Sequence, residues 1–479
     1  MLVLPSAATL LALMNYCAPM TTLTATAAGL GAGSAAQVWM LSGISLGLGA
    51  TLLVAGGLAD DRGRRRVFAA GAVLLSAASV VCAAAPDAGT FVAGRIAQGV
   101  GSAALIATGL GIIGHAYTGG PERARATGIW GAMLGAGIAL GPIASSALAE
   151  AVHWRLWYWF TAVAALPLAL AALRLLPESR ADRRRGQDLW GALTMTAGVA
   201  ALMTAITLGG DGWGRPVVLG LFAAAAGLLG VFCLVESRRR EPMLDLRLFR
   251  HPGFVVSVLG ALFTGLAVIG IMSYLSTVLE RTLGLSPLGT SMVFGLWSGM
   301  AFLVALQARR LAPVLSARHL LAVGLLLSAV GEAGLLGTGP GDSWWRLVPG
   351  LAVAGVGSGL ANAVLARLAV ESVPADRAAM GAGAGNTARY VGASIGVAMV
   401  VALATAGGGG DAADPEALAR GADLAIMVSA ALALIAAVLA ALIRDGGPTA
   451  GGSPAEAERQ RGLDGNLRQG GVGDGDELP

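Results

Sequence analysis

The sequence predicts an all-α polytopic membrane protein with fourteen transmembrane helices, and three observations support this prediction. The 479 residues are 56% hydrophobic and only 13% charged, which is more apolar surface than one soluble core can bury. Runs of about twenty apolar residues recur along the chain, each long enough to cross about 30 Å of hydrocarbon. Over such a run only a helix satisfies its own backbone hydrogen bonds, since barrel strands would be shorter and would alternate in polarity.

The predicted spans follow the apolar runs in order, at 4–28, 38–58, 67–86, 90–114, 126–148, 156–176, 189–208, 216–235, 254–278, 287–307, 319–338, 346–366, 382–405 and 423–443. Arginine clusters occupy loops after even-numbered spans, as at 62–66, 180–185 and 238–250. Because basic loops stay in the cytoplasm, this alternation predicts that both termini are cytoplasmic. All 32 basic residues are arginine, which we interpret as the codon bias of a GC-rich bacterium, and we therefore expect the bacterial inner membrane.

Composition and residue spacing also argue against several classes of function. The net charge is +4, but the arginines are scattered over short loops, which does not favour nucleic acid as a partner. The cysteines Cys17, Cys82 and Cys233 lack metal-ligand spacing, and the four histidines lie at separate span ends. No phosphate-binding loop is present. We therefore expect no metal, no cofactor and no catalytic cluster, and a monomer whose partners are the lipid bilayer and a small molecule.

A weak internal repeat at an offset of about 253 residues divides the chain. It pairs Leu58 with Leu311, Ala59 with Ala312, Arg65 with Arg318, Ala69 with Ala322, Gly71 with Gly324, Pro121 with Pro374 and Gly128 with Gly381. Repeated halves with a site at their interface are common in secondary transporters. We expect six-helix bundles at 1–180 and 251–445, two extra helices with linkers at 181–250, and a disordered cytoplasmic tail at 446–479.

The loop after the second span reads GGLADDRGRRR over residues 56–66. Gly56 permits close helix approach, Asp60 can accept from a helix N-terminus or an arginine, and Gly63 permits a tight turn before Arg64 and Arg65. The segment resembles the G-x-L-a-D-r-x-G-R-R signature of the major facilitator superfamily, which implies a cytoplasmic gate. Asp61 departs from that signature, where a basic residue is usual. The simpler alternative is a basic cytoplasmic loop with a turn.

The fourth span carries Arg95 and Gln98 in a segment similar to the family's R-x-x-Q-G-x-G motif. The resemblance implies that Arg95 serves proton transfer, and the alternative is an arginine that snorkels to the interface. In the fifth span, Gly137, Gly141 and Pro142 resemble the antiporter motif G-x-x-x-G-P-x-x-G-G, with Ser145 and Ser146 replacing its last two glycines. That motif implies export, and the alternative is close packing through small residues.

Span 13 contains Asn386 and Arg389 in a pattern similar to the N-T-x-R-x-x-G segment of the fourteen-span drug:proton antiporters, the EmrB/QacA-type group. These two residues lie one turn apart, where both can line a cavity, or Arg389 can pair with a cytoplasmic-side acid. Asn362 in span 12 is a candidate substrate contact or an interhelical hydrogen-bonding group.

The family usually has an aspartate in span 1 about 24 residues before the tryptophan that opens span 2, and here that position is Asn15. Because asparagine does not titrate, the resemblance leaves the proton carrier unassigned. Glu332 in span 11 is the deepest remaining acid, and a carboxyl at that depth suits proton exchange. The alternative is a carboxylate that reaches water in the outer third of the span.

The resemblance implies a major facilitator fold with a central cavity between two six-helix halves, open alternately to each side. It implies proton-driven export of hydrophobic or amphiphilic small molecules such as antibiotics, with the proton gradient as energy source. We expect the substrate to bind in a largely apolar cavity, and the candidate polar contacts are Asn15, Arg95, Asn362, Asn386 and Arg389. Export or import of an endogenous metabolite remains open. A membrane-embedded enzyme or a sensor is the alternative from another class.

Overall fold

The computed structural model describes residues 1–117, 120–180, 189–209, 212–239, 242, 244–307, 316–374, 378–407 and 415–443. Within these ranges the secondary structure is helical, without a β-strand. The α-helices are α1 (Val3–Cys17), α2 (Pro19–Leu30), α3 (Ser34–Arg62), α4 (Arg64–Ala84), α5 (Ala88–Ala116), α6 (Gly120–Ala151), α7 (Arg155–Leu175), α8 (Leu189–Gly209), α9 (Pro216–Arg238), α10 (Pro252–Phe263), α11 (Gly270–Thr282), α12 (Pro287–Gln307), α13 (Ala317–Ala333), α14 (Leu347–Glu371), α15 (Ala378–Gly407) and α16 (Pro415–Leu442). The predicted tail at 446–479 and the repeat partners Leu311 and Ala312 lie outside the described residues.

Most of these helices are suited to cross a bilayer, and the prediction of an all-α polytopic membrane protein is confirmed. Within the described ranges, twelve helical segments are long and apolar enough, one of them being α10 and α11 joined by the π-helical turn Thr264–Ile269. The pair α1 and α2, bent by 52°, would make a thirteenth span. Helix α13 has 17 residues, or about 25 Å at 1.5 Å per residue. The expected count of fourteen is not confirmed.

The outer surface of the bundle is apolar where lipid would cover it. In α9, the exposed side chains include Val217, Leu219, Val231 and Leu234, each about half accessible. Such a continuous apolar face would be unfavourable in water but is favourable in hydrocarbon.

Small residues let the helices of the bundle approach closely. We call α1–α7 the first half and α10–α16 the second half. A Cβ added to Gly71 would lie 2.6 Å from the Ala104 Cβ on α5, and one added to Gly324 would lie 2.9 Å from the Ala361 nitrogen on α14. These two glycines, paired in the predicted repeat, therefore have the same role: they pack α4 against α5 in the first half and α13 against α14 in the second.

The two halves meet along α3, α5 and α15 at the end of the bundle that carries the Gly63 loop. A Cβ on Gly383 of α15 would lie 2.7 Å from the Leu52 carbonyl oxygen of α3. Buried residues of both halves, among them Leu52, Ile106 and Ala382, share one apolar cluster. This packing closes the bundle at that end.

Candidate functional site

A cavity with an empty volume of about 850 Å³ lies between the two halves. Its walls come from α1, α2 and α6 on one side and from α11, α12, α14, α15 and the π-helical turn on the other. The lining is mostly apolar, with Leu13, Ile138, Met272 and Phe294 among its side chains. Because successive spans run antiparallel, the lining segments of α6, α11 and α12 lie away from the Gly63 loop. The cavity therefore occupies the half of the bundle opposite the closed end.

A proline break in the first span shapes one wall of this cavity. Pro19 has no N–H, so the carbonyl of Asn15, four residues earlier, loses its intrahelical donor. The Arg95 guanidinium supplies that donor, with Nη1 donating to the Asn15 oxygen at 3.0 Å and Nη2 to the Tyr16 oxygen at 3.4 Å. The 52° bend between α1 and α2 is thus stabilised by a side chain from α5, and Met20 and Thr21 beyond the bend face the cavity.

Arg95 is fully buried and is bonded through three of its nitrogens. Its Nε donates to the Met40 carbonyl at 3.4 Å, and Nη1 also donates to Gln98 Oε1 at 2.9 Å. Gln98 in turn donates to Ser79 Oγ at 2.8 Å. A buried ion costs several kcal/mol unless such bonds offset its desolvation. Neither Arg95 nor Gln98 lines the cavity. The hydrogen bonds of Arg95 instead join α5 to α1 and α3.

The glycines of α6 allow that helix to pack closely against α1. A Cβ on Gly137 would lie 2.6 Å from the Leu13 Cβ, and one on Gly141 would lie 2.8 Å from the Met14 Cα. Pro142 lines the cavity one residue later. Ser145, in place of a motif glycine, donates to the Ala18 oxygen at the bend at 2.8 Å. The motif therefore fixes α6 against the break in the first span.

The loop signature joins the two halves. Asp60 Oδ1 pairs with Arg64 at 2.7 Å within the first half, while Oδ2 accepts from the Met380 N–H at 3.1 Å in the first turn of α15. That N–H is one of the helix N-terminal donors without an intrahelical acceptor, and the helix dipole favours an anion there. Asp60 and Arg64 are both buried. This contact holds the loop end closed.

Gly63 and Arg65 of the same loop meet Glu178, an acid that the sequence patterns did not single out. Gly63 has φ of 112°, a conformation that side chains rarely adopt, and a Cβ there would collide with the Glu178 carboxylate. Glu178 accepts from the Arg65 N–H at 3.1 Å and pairs with the Arg65 Nε at 3.5 Å. Gly56, at the start of the motif, lies within α3.

Three predicted polar residues of the second half come together beside the cavity. Arg389 and Asn362 line both the main cavity and a smaller one of about 340 Å³, and Asn386 lines the smaller one. The Asn386 amide donates to the Ala382 oxygen within its own helix at 2.9 Å. Arg389 forms no ion pair with a described residue, and its guanidinium lies 5.3 Å from the Tyr390 ring centroid.

Asn15 and Glu332 lie elsewhere. Both side chains are fully buried, and their polar atoms have no hydrogen-bond partner among the described residues. Neither residue lines either cavity. The Asn15 contribution to the site comes from its backbone carbonyl, and Glu332 lies in α13 outside the cavity walls.

Sequence reasoning missed two aromatic contributions to the cavity. Trp297 of α12 lines it with an indole nitrogen that has no hydrogen-bond partner among the described residues. Tyr16 and Tyr390 both line it, with their ring centroids 5.4 Å apart. The sequence gives no signal for Trp297, because it lies within an apolar span where nothing indicates which way a side chain points.

Comparison with known proteins gives consistent matches. The family model described as Major Facilitator Superfamily matches residues 6–397. The puromycin resistance protein pur8 of Streptomyces alboniger is 33% identical over 432 residues, covering 87% of this chain and 85% of that protein. The multidrug resistance protein Stp of Mycobacterium tuberculosis is 31% identical over 365 residues, covering 76% of this chain and 67% of that protein.

Among solved structures, the proton:xylose symporter XylE superposes with a TM-score of 0.67 at 14% identity, covering 93% of this chain and 95% of that one. At this identity the likeness concerns the fold. None of these matches confirms the fourteen-span group.

Proposed function

This chain belongs to the Major Facilitator Superfamily, and from that premise we propose that it exports hydrophobic or amphiphilic small molecules by proton antiport with alternating access. It is a multi-pass membrane transporter and not an enzyme. Two relatives at 31% and 33% identity are named for resistance to puromycin or to multiple drugs. Those names support a drug or antibiotic as the exported molecule.

The cavity is the observation on which the proposal rests. It is concave, mostly apolar and lined by a few polar side chains, which is the usual character of small-molecule sites. Apolar walls bind by area and shape, which suits a lipophilic drug that partitions from the bilayer. Because both halves contribute walls, a rocking of one half against the other would change access to the same site.

The closed end and the cavity together support alternating access. The arginine-rich loops support a cytoplasmic position for the Gly63 end, and in that orientation the cavity would be open toward the outside. The opposite arrangement requires that the Asp60 contact with Met380 break, along with the packing of Gly383 on α3. We propose that the transporter resides in the bacterial inner membrane with both termini cytoplasmic.

Glu332 is our candidate for the proton carrier. As an anion it would have no partner among the described residues at full burial, so the ionised form carries its whole desolvation cost. A conformation in which water reaches this carboxyl would stabilise the ionised form of Glu332. Loss of the proton would therefore favour that conformation. Because Glu332 lies outside the cavity walls, coupling would act through helix rearrangement and not through contact with the drug.

The experiment fills the cavity and measures transport. Ile138→Trp places an indole in the lumen, while Val231→Trp adds the same group to the lipid-facing surface of α9, where Val231 is 47% exposed. We expect cells with wild type or Val231→Trp to accumulate less of a lipophilic drug than cells without the protein, and Ile138→Trp cells to show no reduction. Equal efflux by both variants would refute the cavity as the site, and higher accumulation with wild type would indicate import.

A further inference from the structure

Three arginines among the described residues are buried, Arg64, Arg95 and Arg389, and their guanidinium groups differ in how they are bonded. Arg64 pairs with Asp60 at 2.7 Å. Arg95 donates to backbone carbonyls and to Gln98. Arg389 is 7% exposed and lines both cavities, yet its Nε and Nη2 have no hydrogen-bond partner among the described residues. Since a guanidinium is positively charged and donates only, Arg389 is a buried cation with donors available to a ligand.

A second donor-only group belongs to the same wall. The Trp297 Nε1 is buried on α12 without a hydrogen-bond partner among the described residues, and an indole N–H cannot accept. The hydroxyls of Ser298 and Ser358 line the cavity and are also without partners in the described part of the chain. Buried donors left unpaired are unfavourable, and a ligand with acceptor oxygens would satisfy them.

The formal charge on the cavity wall is of one sign. Among the described residues that line the two cavities there is no aspartate or glutamate, and Arg389 is the one residue with a formal charge. In a low-dielectric site a cationic ligand would be repelled by this guanidinium, whereas an oxyanion would gain charge-assisted hydrogen bonds. The remaining surface, including Leu13, Ile138 and Phe294, suits an apolar body.

We propose that the preferred substrate is an amphiphilic anion, with a carboxylate or related oxyanion head group at Arg389 and an apolar body along the first-half wall. This inference rests on the proposed function for the statement that the bound molecule is transported. The binding preference itself depends only on the cavity.

The test measures equilibrium binding to purified full-length protein in neutral detergent, without a proton gradient. Three fluorescent probes share one body: dansylaminoundecanoic acid, its methyl ester and the matching trimethylammonium amphiphile. We expect the carboxylate to bind most tightly and the ammonium probe most weakly. In Arg389→Gln the carboxylate affinity should fall by about 10- to 100-fold, as for loss of hydrogen bonds to a charged group, while the ester affinity stays unchanged.

Two further variants serve as controls. Arg389→Lys keeps the positive charge but loses the planar donor geometry of the guanidinium, and should retain part of the preference for the carboxylate probe. Arg420→Gln removes an arginine from the exposed face of α16, where the side chain is 63% accessible, and should leave all three affinities unchanged. The proposal is overturned if the ammonium probe binds as tightly as the carboxylate, or if Arg389→Gln weakens all three probes equally. Absent efflux with a retained carboxylate preference would refute export while leaving this inference intact.

Discussion

Neutralising Asp60 should open the Gly63 end of the transporter. Its bond with Arg64 lies within the first half and should be kept when the halves separate, whereas the 3.1 Å bond from the Met380 N–H joins the halves. A hydrogen bond to a charged acceptor contributes about 1.5–3 kcal/mol and a neutral one about 0.5–1.5. Asp60→Asn therefore removes about 1–1.5 kcal/mol from the closed state, which raises the open-to-closed ratio by about fivefold to tenfold.

Thiol labelling measures this ratio. Ala382 is fully buried in the cluster that closes the loop end, so a cysteine there reacts only when that end opens. In a background with Cys17, Cys82 and Cys233 replaced by serine, we expect Ala382→Cys in inside-out vesicles to react about fivefold to tenfold faster when Asp60→Asn is also present, because labelling follows the open population.

The control is Asp87→Asn, which changes an acid that caps α5 at the other end of the bundle, where its carboxylate accepts from the Thr90 N–H and hydroxyl. It should leave the labelling rate of Ala382→Cys unchanged. An unchanged rate with Asp60→Asn would refute the reasoning that this carboxylate holds the halves together.

Three further predictions concern the helices around the cavity. Gly141→Ala should lower both the thermal unfolding temperature and the efflux rate, because the added Cβ overpacks α6 against α1 at a cost of about 1–3 kcal/mol. Gly227 has open space around it, so Gly227→Ala should leave the unfolding temperature and the efflux rate unchanged. Arg95→Lys should abolish efflux and lower stability. The reason is that an ammonium cannot reach all four acceptors of the guanidinium, and each lost bond costs about 1.5–3 kcal/mol. Efflux at the wild-type rate in this variant would contradict the role of Arg95 in joining α1, α3 and α5. Glu332→Gln should leave folding intact by thermal unfolding but remove the dependence of efflux on the proton gradient; full retention of coupled efflux would exclude Glu332 from the mechanism.

The helices were predictable because lipid imposes a simple rule on composition. The predicted spans at 189–208 and 287–307 nearly coincide with α8 and α12, since an apolar run long enough to cross the bilayer has one stable backbone form. Span 11 came out shorter than predicted, because α13 ends at Ala333 and the chain turns before Gly337.

The site was only partly predictable. Asn362, Asn386 and Arg389 were identified because polar groups inside a span are costly and stand out in sequence. The link from Pro19 to Arg95 had a sequence signal, since a proline frees the carbonyl four residues before it, but the donor from another helix required the tertiary structure. The contact of Glu178 with the Gly63 loop joins residues more than a hundred positions apart, and no local pattern encodes it.

The central claim, that two halves open a shared cavity alternately at its two ends, is tested most directly by paired distance measurements. One spin-label pair at Ala70 and Arg250 would report on the Gly63 end, and another at Ala151 and Ser286 on the opposite end, all four positions being exposed. On changing from alkaline to acidic buffer, or on adding a transported drug, we expect one distance to lengthen while the other shortens. Distances that change in the same direction at both ends, or at neither end, would contradict the account.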